Sequence, residues 1–272
     1  MNHQLTLQVL GARGSMPCSG VQFQRYGGNT SCFFLQIKEH GIIFDAGTGI
    51  VQLNHKLPEQ IEHIHILISH MHIDHIQGLP FLKDLFESGR KITFYGQRRE
   101  EKGIREQIDY FLNPLLWPVG IANFQKNVEF VTLSIPEKRE IANTFLIETE
   151  QSFHPGASTL YRITYQDTSV VYGLDFEHNE ISSERLVNFA RNSSCLIYDS
   201  YYLPEEYGTY IGWGHSTWEE GVRIKQYGNI KKLLLSHHYT ERTDQFLDKL
   251  QEEIWKVDRD TVLAKEGMEI KL

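Results

Sequence analysis

The feature that most constrains this chain is a run of histidine and aspartate residues directly after an apolar segment. Residues 64–68 (IHILI) are typical of a buried strand, and residues 69–75 (SHMHIDH) follow at once. Such a dense set of imidazoles and carboxylates meets at one point only if the backbone turns sharply, as it does between a strand and a helix. Neutral imidazole and carboxylate are ligands of divalent transition metals, so the run predicts a metal site, and the number of ligands favours two ions. The candidate ligands are His70, His72, Asp74 and His75.

Composition predicts one globular domain over residues 1–272, because 40% of the residues are hydrophobic and no Pro/Gly/Ser-rich linker interrupts the chain. No run approaches the roughly 18 apolar residues of a membrane helix, so no membrane association is expected. Cys18, Cys32 and Cys195 are odd in number and lack a C-x-x-C pair. They indicate neither a disulfide framework nor a cysteine zinc site, and the expected location is the reducing cytoplasm. The net charge of −8 disfavours a large nucleic-acid footprint.

Hydrophobic periodicity predicts strands alternating with helices in both halves of the chain. Strands are expected over 5–10, 33–37, 42–45, 64–68, 91–95, 128–133, 144–149, 159–165, 169–174 and 195–199. Helices are expected over 76–88, 98–112, 181–191, 216–227 and 243–256. Ser216 and Glu219 fit a capping box at the start of the fourth helix. This order predicts a layered sheet protein with outer helices.

Residues 110–127 form a long aromatic segment with two prolines. Loops of this length in a compact domain are usually functional or disordered. The rings of Phe111, Trp117 and Phe124 could line a substrate pocket and stack on a flat group. They could equally complete a satellite core or form a contact in a homodimer.

The H-x-H-x-D-H run resembles the signature of the metallo-β-lactamase superfamily. Leu10–Ser15, Tyr26–Ser31 and Asp45–Gly49 are similar to the leading strands and turns of that family. The resemblance is strongest to the branch of the tRNA 3′-processing endonuclease ribonuclease Z and the phosphonate-pathway cyclic phosphodiesterase. It implies an α+β fold of the metallo-β-lactamase type, a four-layer αββα sandwich.

The resemblance also implies further ligands on separate loops. It gives one ion His70, His72 and His154, and gives the other Asp74, His75 and His237, with Asp175 bridging both. His238 is adjacent to His237 and remains an alternative ligand. Two divalent ions are expected, with zinc preferred and manganese or iron as alternatives.

A second constellation resembles the phosphodiesterase branch of the family. His215, in Gly214–Thr217, corresponds to a histidine beside the scissile phosphate, and Asp199 corresponds to the acid that pairs with it. A carboxylate on one ring nitrogen fixes the tautomer and raises the basicity of the ring. We therefore expect His215 to support the leaving oxygen, Asp199 to hold His215, and Asp74 to orient the nucleophile.

These observations predict a dinuclear phosphodiesterase in which a hydroxide between two ions attacks a small cyclic or nucleotide-type phosphodiester. The net charge and the lack of a long Gly/Pro-rich arm disfavour tRNA as a substrate. A small-molecule partner is expected instead, and Tyr202 and Trp213 are candidates to stack on it. Hydrolysis of a thioester or lactam is an alternative, as is a metal-binding sensor without turnover. An oxygen-reducing di-iron relative would carry Glu where His72 stands.

Overall fold

The computed structural model describes residues 5–87 and 89–272. In this part of the chain, two sheets contain seven strands each, in the orders β14-β1-β2-β3-β4-β5-β6 and β13-β12-β11-β10-β9-β8-β7. The first sheet comprises β1 (Thr6–Gly11), β2 (Cys32–Ile37), β3 (His40–Phe44), β4 (His63–Leu67), β5 (Lys91–Gln97), β6 (Val128–Leu133) and β14 (Glu269–Lys271). The second comprises β7 (Glu137–Ile141), β8 (Phe145–Ser152), β9 (Ser158–Tyr165), β10 (Thr168–Gly173), β11 (Cys195–Asp199), β12 (Lys232–Ser236) and β13 (Thr261–Leu263).

Helices cover the outer face of each sheet. They are α1 (Leu53–Lys56), α2 (Ile73–Ile76), α3 (Asp84–Glu87), α4 (Ile104–Phe111), α5 (Glu180–Ala190), α6 (Pro204–Tyr207), α7 (Trp218–Gly228) and α8 (Asp244–Val257). Single 3-10 turns occur at Val21–Phe23, Thr48–Gln52, Leu79–Phe81 and Ile121–Asn123. No helix among the described residues has both the length and the apolar character needed to cross a bilayer.

Three hydrophobic cores separate the four layers. Between the sheets, Phe44 of β3 stacks on Tyr172 of β10, with ring centroids 5.3 Å apart. On the outer face of the first sheet, Ile66 packs in the cluster that contains Ile108 of α4. On the outer face of the second sheet, the corresponding cluster joins the strands to α5, α7 and α8. The predicted α+β fold with αββα layers is confirmed.

Parallel strands bring the predicted ligands to one edge of the sandwich. β3, β4 and β5 are parallel neighbours in the first sheet, and β10, β11 and β12 are parallel neighbours in the second. Parallel strands end at the same sheet edge, so the residues that follow them are gathered there. The candidate ligands after β4, β10 and β12 therefore approach one another from the two sheets.

The predicted helix over 76–88 is wrong, because this segment is divided into α2, the 3-10 turn Leu79–Phe81 and α3. The N–H of Gly78 donates to the carbonyl of Ala46 at 2.9 Å, so it makes no helical bond within its own segment. Pro80 has no N–H to donate. Close packing against the loop after β3 therefore overrides the helical periodicity. The predicted end at Ser88 lies outside the described residues.

Two other helix starts differ from the prediction. Residues 98–112 become helical only from Ile104, because Arg99 and Lys102 first pair through two backbone hydrogen bonds of 3.0 and 2.7 Å. The capping box of Ser216 and Glu219 is also wrong, since Thr217 caps α7 by accepting from the N–H of Glu220. The hydroxyl of Ser216 instead contacts the hydroxyl of Tyr198 at 2.6 Å.

The aromatic segment over 110–127 has one of the expected roles, that of a satellite core. Trp117 packs edge-on against Phe81 with ring centroids 5.0 Å apart, and Phe124 contacts Phe86 and Phe94. These two rings therefore extend the outer core of the first sheet. Phe111 packs against the same core and also lines a surface cavity of about 440 Å³.

Candidate metal centre

Backbone hydrogen bonds define the start and the end of the sharp turn after β4. Ile68 still pairs with β5 through the carbonyl of Tyr95 at 2.9 Å, and the N–H of His75 donates to the carbonyl of His72 at 3.0 Å as α2 begins. The intervening residues direct His70, Asp74 and His75 into the interior, while His72 stays exposed. The predicted strand and sharp turn at the H-x-H-x-D-H run are therefore present, and the helix that follows is the short α2 rather than the helix predicted over 76–88.

One group of potential ligands lies on the outer side of the centre. It contains His70, His72, His154 and Asp175. The Nε2 of His154 is 3.2 Å from the Nδ1 of His72 and 3.5 Å from the Oδ1 of Asp175. The Nε2 of His70 is 3.7 Å from the same carboxylate oxygen.

A second group of potential ligands lies deeper and is fully buried. It contains Asp74, His75 and His237. The Oδ2 of Asp74 is 3.2 Å from the Nε2 of His75 and 3.2 Å from the Nε2 of His237. The two imidazoles lie 2.8 and 3.3 Å from the Oδ2 of Asp175. Asp175 thus turns one carboxylate oxygen towards each group, which is the geometry of a bridging ligand.

The donor atoms fit divalent cations. Among the described residues, the Nε2 of His70 is buried without a hydrogen-bond partner, and the Nε2 of His75 and the Oδ2 of Asp175 are buried and lie 2.8 Å apart without hydrogen-bond geometry. Buried polar atoms are almost always partnered, and an unpartnered one costs about 1–3 kcal/mol. A cation in each group would accept these lone pairs, and nitrogen and carboxylate donors suit Zn²⁺, Mn²⁺ and iron.

The charges of the buried groups fit the same interpretation. Burial alone would raise the pKa of Asp74, but His75 and His237 hold it well below its usual range. Burial lowers the pKa of His70 and that of His154, so both rings are neutral and keep a lone pair at neutral pH. For His237, burial opposes protonation, but Asp175 and Asp74 raise the pKa to about 9. The buried anions therefore attract positive charge to this position.

Asp45 orients the deeper group and is a functional residue that sequence reasoning missed. Its Oδ2 accepts from the Nδ1 of His75 at 2.6 Å and from the hydroxyl of Tyr172 at 2.5 Å. Its Oδ1 accepts from the N–H of Ser69 at 2.7 Å. A carboxylate on the outer nitrogen fixes the tautomer of a ligating histidine and turns the other nitrogen to the metal. The available signal was an acidic residue directly after a buried strand, within the segment Asp45–Gly49.

His237 and His238 point in opposite directions. His237 faces the centre, and its backbone is in the left-handed region with φ of 62°. His238 is buried on the other side of the strand end, where its Nε2 contacts the carbonyl of Ala264 at 2.9 Å. Its ring packs edge-on against Tyr26. The geometry therefore favours His237 over His238 as the candidate ligand.

His215 and Asp199 form a close pair at the rim of the centre. The Nδ1 of His215 is 2.9 Å from the Oδ2 of Asp199. Asp199 also accepts from the backbone N–H groups of Tyr201 at 3.0 Å and Asp175 at 3.1 Å, so its orientation is fixed. The ring of Tyr201 stacks on His215 with centroids 4.5 Å apart.

The turn before His215 also holds a candidate ligand. The carbonyl of Gly214 lies 2.8 Å from the Nδ1 of His154. Gly214 has φ of 90°, and a Cβ at this position would lie 2.1 Å from that nitrogen. Glycine is therefore required here by both conformation and space.

An aromatic cavity of about 440 Å³ opens beside His215. Tyr202 and Tyr210 stack with centroids 4.6 Å apart and nearly parallel rings, and Trp213 packs edge-on against Tyr210. Trp213 is 65% exposed, so much of its ring remains free for contact. Arg242 lines the same cavity and pairs with Glu206. The cavity therefore combines flat apolar walls with charged groups.

The fold and this centre define the class of the protein, and comparison with known families agrees. A family described as the beta-lactamase superfamily domain matches residues 40–238. The chain belongs to the metallo-β-lactamase superfamily and is a metal-dependent hydrolase.

Individual relatives place the chain near one branch of that superfamily. Ribonuclease Z from Archaeoglobus fulgidus is 25% identical over 98% of this chain and 97% of its own length. Ribonuclease Z from Nanoarchaeum equitans is also 25% identical, over 85% of this chain and 82% of its own length.

Solved structures share the fold over nearly the whole chain. The metallo-β-lactamase fold protein YhfI from Bacillus subtilis has a TM-score of 0.76 at 20% identity and covers 99% of both chains. A diphosphatase from the PhnP family has a TM-score of 0.71 at 18% identity, covering 99% of this chain and 97% of its own.

Proposed function

We propose that this protein is a dinuclear phosphodiesterase that hydrolyses a small cyclic or nucleotide-type phosphodiester. The observation that carries the proposal is the His215–Asp199 pair at the rim of the two ligand groups. The ring nitrogens of His215 and the oxygens of Asp175 are close neighbours, with 3.9 Å between Nδ1 and Oδ1. A histidine held by a carboxylate beside a metal centre is suited to proton transfer to a leaving oxygen.

The two ions would each be held by three side chains and share one carboxylate. His70, His72 and His154 would hold the first ion, and Asp74, His75 and His237 the second, with Asp175 between them. Zinc is the proposed metal, and the same donors accept manganese or iron. Bound there, the ions would supply Lewis acidity that activates water and neutralises charge on the phosphoryl group.

The His215 ring acts on the leaving side of the phosphorus. Its Nδ1–H donates to Asp199, which fixes the orientation of the ring. When Nε2 also carries a proton, it can pass that proton to the departing oxygen, so an alkoxide never has to leave as a free anion. The stacked ring of Tyr201 restricts rotation of the imidazole and maintains this orientation.

Asp74 acts on the attacking side. The neighbouring His75 and His237 keep its carboxylate ionised although burial opposes this, and the N–H of Ser15 donates to its Oδ2 at 2.8 Å. An ionised and fixed carboxylate can accept a hydrogen bond from the attacking water and align it with phosphorus. This is the role proposed for Asp74 in addition to metal binding.

The cavity beside His215 supports a small substrate with a flat group. Its volume of about 440 Å³ falls within the range typical of pockets for small molecules. Tyr210 and Trp213 offer ring faces and edges on which a nucleobase can stack. The described chain between His154 and Asp175 is taken up by β9, β10 and short turns, without the long arm that the resemblance associates with tRNA binding.

The decisive experiment is hydrolysis by the metal-loaded protein of a panel of substrates. The panel contains 2′,3′- and 3′,5′-cyclic nucleotides, an alkyl phosphodiester, a precursor tRNA with a 3′ trailer, a thioester and a β-lactam. We expect cleavage of the small phosphodiesters and its loss in His215→Ala. His55→Ala, which changes an exposed histidine on α1, is the matched control. Cleavage of the thioester or lactam alone would contradict the proposal.

An RNA-processing endonuclease is the second candidate, because curated relatives that match nearly the whole chain carry the name ribonuclease Z. The precursor tRNA in the same panel separates the two. Efficient 3′ cleavage of that RNA, with little turnover of cyclic nucleotides, would favour the second candidate. The net charge of −8 supports the first.

A further inference from the structure

Three histidines lie together at the opposite end of β3 and β4 from the candidate metal centre. His40 begins β3 and His63 begins β4, and the two are directly paired across these parallel strands. His65 is two residues further along β4 and therefore lies on the same face as His63. We call His40, His63 and His65 the histidine cluster.

We propose that the histidine cluster binds a divalent transition metal ion of the borderline class that includes Zn²⁺ and Co²⁺. Each ring can offer one nitrogen such that all three nitrogens lie within 4.8 Å of one another. This would be a third metal site in the chain, independent of the proposed hydrolysis.

The spacing of the nitrogens suits tetrahedral coordination. The Nδ1 of His40 is 3.0 Å from the Nε2 of His65. Two nitrogens that share a zinc ion at about 2.0–2.1 Å are separated by about 3.3 Å in a tetrahedron. The ring of His63 lies 3.8 Å from that of His65 and 5.8 Å from that of His40, so a third nitrogen can approach the same point.

One nitrogen of each ring in the histidine cluster lies near a polar side chain, as is usual for metal-bound imidazoles. The Nδ1 of His65 is 3.1 Å from the hydroxyl of Tyr95, and the Nε2 of His63 is 2.8 Å from the hydroxyl of Thr93. The Nε2 of His40 has no hydrogen-bond partner among the described residues but lies 3.7 Å from a carboxylate oxygen of Glu39. Partners of this kind fix the tautomer of a ligating histidine.

Burial leaves the rings in the state that metal binding requires. His40 and His65 are 5% and 0% exposed. Burial lowers the pKa of His63 to about 4 and that of His65 to about 2, so both rings are neutral at physiological pH. Neutral imidazoles keep a lone pair for a metal and do not repel it.

The surroundings provide both a closed wall and an entry path. Phe145 of β8 packs edge-on against His40 and His65, with ring centroids 5.5 and 5.3 Å away, and closes the interior side. His63 is only half-buried, so an ion can reach the cluster from solvent. The charge of Lys91 acts on His63, and this charge is paired with Glu129 at 3.0 Å.

The test is the number of ions that the full-length chain binds. The metal-free protein is titrated with Co²⁺, followed by visible absorption, and its zinc content is measured after reconstitution and gel filtration. We expect one equivalent more in the wild type than in His63→Gln, and the same loss in His40→Gln. His55→Gln, on exposed α1, should match the wild type. Tyr95→Phe should keep the ion but bind it about tenfold more weakly.

The result is separable from the hydrolase proposal, because His63→Gln should retain the wild-type turnover of any substrate. Circular dichroism of each variant confirms that it is folded. Equal ion counts in the wild type and His63→Gln would overturn the third site and show that the histidine cluster is a hydrogen-bonded network only. That outcome would leave the two-ion centre unaffected, and absence of phosphodiester hydrolysis would leave the ion count unaffected.

Discussion

Replacing Asp45 by Asn should weaken metal binding at the deeper ligand group, although no candidate metal ligand is substituted. Asp45 is fully buried, and its two oxygens accept hydrogen bonds from backbone and side-chain donors. Its Oδ1 accepts from the N–H of Ser69, while its Oδ2 accepts from the Nδ1 of His75 and the hydroxyls of Tyr172 and Ser69. Asn has only one acceptor oxygen, so one side of this arrangement must change.

The fixed backbone donor decides which side changes. The N–H of Ser69 cannot reverse its direction, so the amide oxygen stays there and the amide nitrogen replaces Oδ2. That nitrogen donates to the Nδ1 of His75, which moves the ring proton to Nε2. Nε2 is the atom that faces Asp74 and Asp175, at 3.2 and 2.8 Å. A protonated nitrogen has no lone pair for a cation, and loss of such outer partners weakens metal binding about 10–100-fold, or about 1.4–2.7 kcal/mol.

Titration of the metal-free protein with Zn²⁺ against a competing chelator measures this loss. Tyr172→Phe is the matched control, because it also removes a hydrogen bond to Asp45 but leaves the tautomer of His75 unchanged. We expect Tyr172→Phe to lower the free energy of unfolding by about 1.5–3 kcal/mol with little change in metal affinity. Wild-type affinity for both ions in Asp45→Asn, or equal losses of affinity in the two variants, would refute the tautomer argument.

Three further predictions concern the centre and its cavity. His215→Ala should lower kcat about 10²–10⁴-fold for alkyl phosphodiesters and far less for p-nitrophenyl esters, because a phenolate can leave without receiving a proton. Equal losses of kcat for the two substrates in steady-state kinetics would exclude a role of His215 as an acid. Trp213→Ala should raise KM for cyclic nucleotides about 5- to 150-fold, as expected for loss of stacking, and should leave KM for a dialkyl phosphodiester unchanged. Gly214→Ala should displace His154 and reduce the zinc content measured by atomic emission, and full retention of two ions would show that the turn adapts.

The layers of the fold could be predicted because they depend on local patterns that recur along the chain. β6 and β11 coincide with the predicted strands over 128–133 and 195–199. The interruption of the helix predicted over 76–88 could not be foreseen, because the packing of Gly78 against the loop after β3 is a tertiary contact between distant segments. β7, β13 and β14 are absent from the expected strands because each has at most five residues and at most two buried ones, and β12 is absent from them as well.

In the candidate site too, some residues could be predicted from the sequence and others could not. The H-x-H-x-D-H run can be recognised in the sequence because its potential metal ligands are so close together. His154 and Asp175 look like ordinary loop residues in the sequence, and they were predicted only from the family resemblance. The geometry that gives each oxygen of Asp175 a different group of ligands has no sequence signal. The role of Asp45 was missed for a related reason, because its partners His75 and Tyr172 are distant along the chain.

Asp45, Asp175 and His237 all have a left-handed backbone, with φ of 57°, 52° and 62°. For residues other than glycine this conformation costs about 1–2 kcal/mol each. Asp175 and His237 face the deeper ligand group and Asp45 orients His75, so this conformational cost lies next to that group. Cation binding would offset that cost, so the lifetime of the protein against proteolysis should follow the supply of metal. Metal scarcity would then limit the abundance of the enzyme as well as its turnover.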